Sequence, residues 1–242
     1  MAVKIIAVTQ PLIYHSDAHG NLAAKLSAEE FIAYTARVSN PSNQMNTLTA
    51  PKLLKYLIKH KHWSPFEMVS ITMDIETTRD IAHQIVRHRS FSFQEFSQRY
   101  ADPTKDMGFV TREARLQDHK NRQNSVDTND ELLCKQWHAK QLQQTHEAGL
   151  AYKWAIENGI AKEQARVVLP EGLTKSRLYM SGTLRSWIHY IDVRATEGTQ
   201  KEHRQIAIDA REEILNHFPS LEEYWFDNSV PNAKDKPWWP FW

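Results

Sequence analysis

The chain has 242 residues, with 30 lysines and arginines against 29 aspartates and glutamates, a formal charge of +1 and a mean hydropathy of −0.60. That balance supplies no global attraction to nucleic acid or to an anionic membrane, so electrostatic binding has to be local. Cys134 is the sole cysteine, which excludes an internal disulfide and a cysteine-rich metal site.

Ile5-Ile6-Ala7-Val8 is followed by polar residues and Pro11, too short an apolar stretch for a signal-peptide core or a membrane span. A cytoplasmic protein without membrane segments is expected, with residues 3–9 as a short strand. Ser27-Ala28-Glu29-Glu30 has capping-box spacing and predicts a helix to about Val38. Pro51 suits a first helical turn, and Leu53, Leu54, Leu57 and Ile58 share one face of a helix ending near His60. A polar turn from Lys61 to Pro65 follows.

Val69, Ile71, Met73 and Ile75 alternate with polar residues, the two-residue period of a strand with one buried face. Thr77 or Thr78 then caps a helix with Ile81, Ile85 and Val86 on its apolar side, delivering Arg87, His88 and Arg89 at its end. Residues 102–128 are polar and aperiodic and read as a surface excursion without chemistry. Asp130 to Asn158 forms a long amphipathic pattern carrying Leu132, Leu133, Trp137, Leu142, Leu150 and Trp154, with Gly159 as its stop.

Further helices are predicted over Lys162–Leu169, Thr183–Val193 and Lys201–Phe218, the last with Ile206, Ala207, Ala210, Ile214 and Phe218 on one side. The fold class is α+β: a mainly helical chain packed on a small central sheet. No Gly/Ser/Pro-rich linker interrupts it, so residues 1–242 are expected to be one domain, with an aromatic tail over about 221–242 that ends Trp238-Trp239-Pro240-Phe241-Trp242 and packs on this or a neighbouring subunit.

Residues 87–100 pack three arginines, a histidine, a carboxylate and several hydroxyls into fourteen positions without a lysine. A guanidinium is a permanent, planar, forked donor that grips phosphates and ring carbonyls at two points, so the segment suits an anionic heterocyclic ligand. Helix-end basic residues also interact well with the helix dipole, an alternative that needs no ligand. No Gly-x-Gly occurs, so neither the dinucleotide fingerprint nor a P-loop is available, and a flavin would need side-chain anchors. His60, His62, His83 and His88 lack the spacing and acidic partner of a familiar zinc motif, and no metal is expected. Arg166 stands before the apolar Val167, Val168 and Leu169, where a charge is solvated, paired or holding a ligand.

The triplet Arg87-His88-Arg89, followed after seven residues by Ser97, resembles the defining motif of the flavin-dependent thymidylate synthases, and the likeness extends through His62-Trp63-Ser64-Pro65-Phe66-Glu67, Gln84, Arg166-Val167-Val168-Leu169-Pro170 and Arg185 to Arg194. The resemblance implies conversion of dUMP to dTMP with FAD, NADPH as reductant and methylenetetrahydrofolate as carbon donor. It implies flavin contacts from His62, Ser64, Arg87, His88, Arg89, Glu95, Thr183, Leu184, Arg185 and His189. It also implies substrate contacts from Gln84, Ile85, Val86, Arg87, Glu95, Phe96, Ser97, Gln98, Arg99, Arg166 and Arg194, with sites shared between the subunits of a homotetramer.

Arg194 takes the catalytic role in this resemblance, at the ring nitrogen between the two uracil carbonyls. A fixed cation there favours the charge that makes carbon five nucleophilic, so no cysteine attacker is required. Gln94, Thr183 and Gly198 depart from residues frequent in the family, the last two from an asparagine and a histidine. The rival class is an RNA-binding module using the arginines for phosphates and Phe91, Phe93, Phe96 and Tyr100 for stacking, which the near-neutral charge disfavours.

Overall fold

The computed structural model describes residues 2–16 and 22–226; the Trp238–Trp242 cluster lies outside them. In chain order the strands are β1 (Ala2–Val8), β2 (Tyr14–Ser16), β3 (Leu22–Lys25), β4 (Ser70–Thr78), β5 (Ser92–Glu95), β6 (Arg115–Gln117), β7 (Ser125–Asp127) and β8 (Lys175–Thr183). The helices are α1 (Ala28–Ala36), α2 (Ala50–Lys59), α3 (Arg79–Ile85), α4 (Pro103–Asp106), α5 (Glu131–Glu157), α6 (Lys162–Ala165), α7 (Leu184–Arg194), α8 (Lys201–His217) and α9 (Glu222–Phe226). One four-stranded sheet has the order β1-β4-β8-β5, and β2-β3 and β6-β7 form two-stranded ribbons. The mainly helical α+β architecture expected from the sequence is what the chain adopts.

Contacts divide the described residues into two compact units. The first holds Asp74–Met180 and Arg194–Ile206 with the start of β1, the second the described residues of 4–73, Ser181–Val193 and 207–226.

In the second unit α1 begins with the full capping box: Ser27 accepts from the Glu30 main-chain N–H at 3.1 Å, and the Glu30 carboxylate accepts from the Ser27 N–H at 2.8 Å. The helix ends at Ala36, two residues before the Val38 expected. Ile71 and Met73 are fully buried, as the alternation required. The Trp187 indole N–H donates to the Ile71 carbonyl at 3.1 Å, so the large buried ring of α7 also satisfies its one polar atom. Ala207, Ala210 and Ile214 of α8, and Phe218 just beyond it, lie fully inside.

In the first unit Thr78 starts α3 but does not cap it through its side chain. Its hydroxyl donates instead to Asp80 Oδ1 at 2.6 Å and accepts from Arg112 Nη2 at 2.6 Å, while Arg112 also forks onto both Asp80 oxygens at 2.7 and 2.9 Å. Arg112 belongs to the polar excursion, which therefore is more than loop: it contains α4 and the β6–β7 hairpin and sends arginines inward. Its periodicity is hidden because both strands are three residues long.

The ends of α5 fall where the sequence put them. Asp130 accepts from the Leu133 N–H at 3.0 Å, and Gly159 takes φ 77° just beyond the helix. An alanine at 159 meets no steric neighbour but must hold a left-handed backbone. Gly159→Ala is expected to lower stability by about 1 kcal/mol, read as a shift of the denaturation midpoint.

The face of α5 is a correction. Gln141, Thr145, Ala148, Tyr152 and Ala155 are buried, whereas Leu132 (66%), Leu150 (55%) and Trp154 (61%) are exposed. Tyr152, Ala155 and Ala165 form a buried cluster covered by Ile156 and Leu169, so small and polar residues face inward and the bulkier apolar ones outward. The helix predicted over Lys162–Leu169 is α6 followed by a 3-10 turn over Arg166–Val168. Strand β8 was not anticipated: Ser176, Leu178 and Met180 point inward, while the exposed Tyr179 blurs the alternation.

Candidate functional site

The first unit gathers most of the predicted residues. Arg87, His88 and Arg89 occupy the turn just after α3, the two arginines exposed and His88 half-buried. Ile85 is fully buried, Val86 lies at the surface, and Arg194 is the last residue of α7. The Arg194 Nε–H donates to His88 Nε2 at 2.9 Å. A ring nitrogen that accepts carries no proton, so His88 is neutral with its proton on Nδ1. The Arg194 charge therefore rests against an uncharged ring, not against a carboxylate that would neutralise it.

Gln84, on the last turn of α3, donates from Nε2 to Gln200 Oε1 at 2.8 Å, and its Oε1 lies 3.2 Å from His203 Nδ1. The His203 ring meets that of His88 edge-to-face, with centroids 6.4 Å apart and planes at 89°. Burial, then the nearby Arg194 charge, pulls the His203 pKa down to about 3, so this imidazole is neutral at physiological pH. Sequence reading passed over His203, Gln200 and Glu202. A signal existed: His203 stands three and four residues before Ile206 and Ala207, on the buried face of α8.

Glu95, at the end of β5, accepts on Oε1 from Arg79 Nη1 at 2.9 Å and Ser176 Oγ at 2.8 Å. Phe96 is half-buried, its N–H donating to the Arg177 carbonyl at 2.8 Å. Ser97 and Arg99 line a cleft of about 430 Å³ together with Lys162 and Glu163. Arg166 and the largely buried Gln98 line a second cleft of about 400 Å³ with Arg79, His83 and Glu163. Glu163 borders both clefts and pairs with Arg99 at 3.1 Å between two exposed side chains. An ion pair so exposed contributes little, so an incoming phosphate can displace Glu163 from the guanidinium.

The remaining predicted residues belong to the second unit. His62 and Ser64 are exposed, the former's ring 6.1 Å from those of Tyr56 and His60. Thr183 donates to Glu67 Oε2 at 2.6 Å and Arg185 to Glu67 Oε1 at 2.8 Å, so Glu67 ties those two residues together. Leu184 is fully buried and its N–H is committed to the Val69 carbonyl at 2.8 Å, so its side chain faces the interior rather than a ligand. His189 is half-buried on α7. Near the end of that helix Asp192 accepts from the Tyr224 hydroxyl at 2.7 Å and the Trp225 indole at 3.1 Å, and burial raises its pKa to about 6. Among the described residues no group of three or more His, Cys, Asp or Glu is placed to hold a metal, and no helix is long and apolar enough to cross a membrane.

Residues 21–220 match the family model described as thymidylate synthase complementing protein. The chain belongs to that family. Within the thymidylate synthase complementing proteins it is similar to a probable flavin-dependent thymidylate synthase of Paramecium bursaria Chlorella virus 1, 48% identical over 91% of this chain and 97% of that one. It is equally similar, at 48% identity and the same coverage, to a flavin-dependent thymidylate synthase of Synechocystis. In three dimensions it resembles the UMP/dUMP methylase PolB of Streptomyces cacaoi, solved with 5-Br dUMP, with a TM-score of 0.72, 23% identity and coverage of 93% and 94% of the two chains. That last likeness carries the family fold; the sequence relatives cover nearly the whole chain.

Proposed function

We propose that the chain is an FAD-dependent thymidylate synthase that reductively methylates dUMP to dTMP, drawing the carbon from methylenetetrahydrofolate and reducing equivalents from NADPH. The observation that carries the reading is the Arg194–His88 contact, which joins the proposed uracil-activating arginine to the Arg87-His88-Arg89 triplet. The 48% identical relatives named for this activity support it.

The residues fit a flavin dinucleotide: exposed Arg87 and Arg89 offer forked cationic donors for its pyrophosphate where no glycine cradle exists. When bound, FAD supplies reducing equivalents. The chain's own residues hold and polarise. Arg99 with Ser97, and Arg166 with Gln98, are proposed to bind the nucleotide phosphate in their two clefts, in the chain's own site or a neighbour's. Gln84, Ile85, Val86, Arg87, Glu95 and Phe96 complete the substrate surface, Ile85 through its main chain. Glu95, His62, Ser64, Thr183, Arg185 and His189 are proposed flavin contacts, whereas the buried Leu184, its N–H committed to Val69, serves to anchor the start of α7 between Thr183 and Arg185.

Arg194 sits at the end of its helix, where its charge is also favoured by the helix dipole, and stabilises the negative charge that develops on the uracil ring. Cys134, on α5 and away from these motifs, takes no nucleophilic part. The protein is proposed to work in the cytoplasm as one functional domain, self-associated as a homotetramer. The outward Leu132, Leu150 and Trp154 of α5 support self-association.

The test is reconstitution. Purified protein given FAD, NADPH, methylenetetrahydrofolate and dUMP is expected to form dTMP, with UMP a weak competitor. A flavin-loaded protein that turns over no dUMP overturns the assignment, and one that prefers UMP moves it to a different pyrimidine nucleotide.

A further inference from the structure

Five residues of the first unit form a polar chain with a direction. Arg115, from the β6–β7 hairpin, donates to Glu202 Oε1; both side chains are about nine-tenths buried, at 10% and 11% exposure. Glu202 accepts on Oε2 from Gln200 Nε2 at 3.0 Å. Gln200 Oε1 accepts from Gln84 Nε2 at 2.8 Å, and Gln84 Oε1 lies 3.2 Å from His203 Nδ1.

An ionised carboxylate only accepts, so the Gln200 amide must turn its nitrogen to Glu202 and its oxygen to Gln84. Gln84 must then present nitrogen to Gln200 and oxygen to His203. The last link requires His203 to carry its proton on Nδ1. Each step follows from the one before, so the carboxylate at one end dictates the tautomer at the other. His203 is fully buried, so no water competes for that donor.

We propose that His203 is a positioning residue: its Nδ1–H holds the Gln84 carbonyl, and its ring backs His88 edge-on, so the substrate-facing amide and the acceptor of Arg194 each keep one orientation. With Oε1 turned to His203 and one Nε2 proton given to Gln200, Gln84 has one N–H left to offer a pyrimidine carbonyl. The inference rests on the dUMP reading only in making Gln84 a substrate contact; the tautomer follows from the hydrogen-bond chain alone.

Asparagine places an amide N–H where histidine has Nδ1, whereas leucine fills the same space without a donor. Titration of dUMP into flavin-loaded protein, followed by calorimetry, is expected to show His203→Leu weakening dUMP about tenfold and His203→Asn staying within about threefold of the wild type, since one lost hydrogen bond corresponds to about one decade. Gln84→Leu is expected to weaken binding by a similar factor, and adding His203→Leu to it to change nothing further, because residues acting through one another are not additive. Equal losses in the leucine and asparagine variants, or additive losses in the double variant, overturn the proposal in favour of general packing.

A wild-type protein that binds no dUMP defeats the substrate reading instead. In that case nitrogen-15 NMR of histidine-labelled protein decides the positioning role. An Nδ1-protonated His203, identified by its loss in His203→Asn, supports it, and an Nε2-protonated ring overturns it.

Discussion

Arg194→Ala is expected to lower kcat for dTMP formation by about 10²–10³-fold while the purified protein keeps its flavin, because removal of one preorganised donor at a developing oxyanion has that scale of effect. The geometry explains why the loss should fall on turnover. The guanidinium is held through its Nε–H by neutral His88, which fixes its direction without cancelling its charge. Lysine lacks both the second fork and the Nε–H, so Arg194→Lys should recover little. Steady-state rates and flavin absorbance per protomer, measured on one preparation, separate the two readings. Equal losses in both would assign Arg194 to holding flavin and remove it from the activation of uracil.

Loss of one partner of the Arg115–Glu202 pair is the largest stability effect expected. Both side chains are about nine-tenths buried; removal of Arg115 strands the Glu202 charge, and removal of Glu202 leaves Arg115 only the half-exposed Glu113 carboxylate at 3.7 Å, at a cost of up to about 3–5 kcal/mol. Glu202→Leu should therefore shift the urea midpoint strongly downward, and Arg115→Met/Glu202→Leu should recover most of it, since no charge is then stranded. The pH dependence has a definite sign. Burial alone raises the Glu202 pKa, but bonds from Arg115, from the main chain and from Gln200 outweigh it and hold the group below its ordinary 4.5. The stabilisation is therefore present above about pH 4.5 and lost as pH falls through the lower folded-state value. A wild-type and double-variant pair with the same acid-denaturation profile would remove Glu202 from that account.

Much of the fold was legible because the signals were local. The Ser27–Glu30 capping box, the Val69–Ile75 alternation, the Asp130 cap and the Gly159 stop each depend on residues within a few positions of one another, and each forms as read. What was missed depends on distant partners. The apolar residues of α5 mark a face that points outward, because its buried side is built from Gln141, Thr145, Ala148, Tyr152 and Ala155, the last two packed on Ala165. Strand β8 alternates strictly between outside and inside from Lys175 to Met180, but it buries a serine and exposes a tyrosine, so polarity does not reveal the period.

The candidate site divides along the same line. The arginine triplet was legible from its density, and Arg194 and Arg166 from resemblance. His203, Gln200 and Glu202 were not, because polar residues in the first turn of a helix and just before it read as solvated until Gln84, His88 and Arg115 are brought against them from far along the chain. Thr78 is the smaller case: a good local cap whose hydroxyl is recruited by Arg112, a residue 34 positions away.

The outward row of Leu132, Leu150 and Trp154 on α5 separates two demands that most helices meet with one set of residues. Interior packing depends on Ala148, Tyr152 and Ala155, so the opposite side is spared that duty and answers instead to the surface laid against it. In the proposed self-assembly, polar residues placed there loosen the association first, and heat resistance then varies with protein concentration.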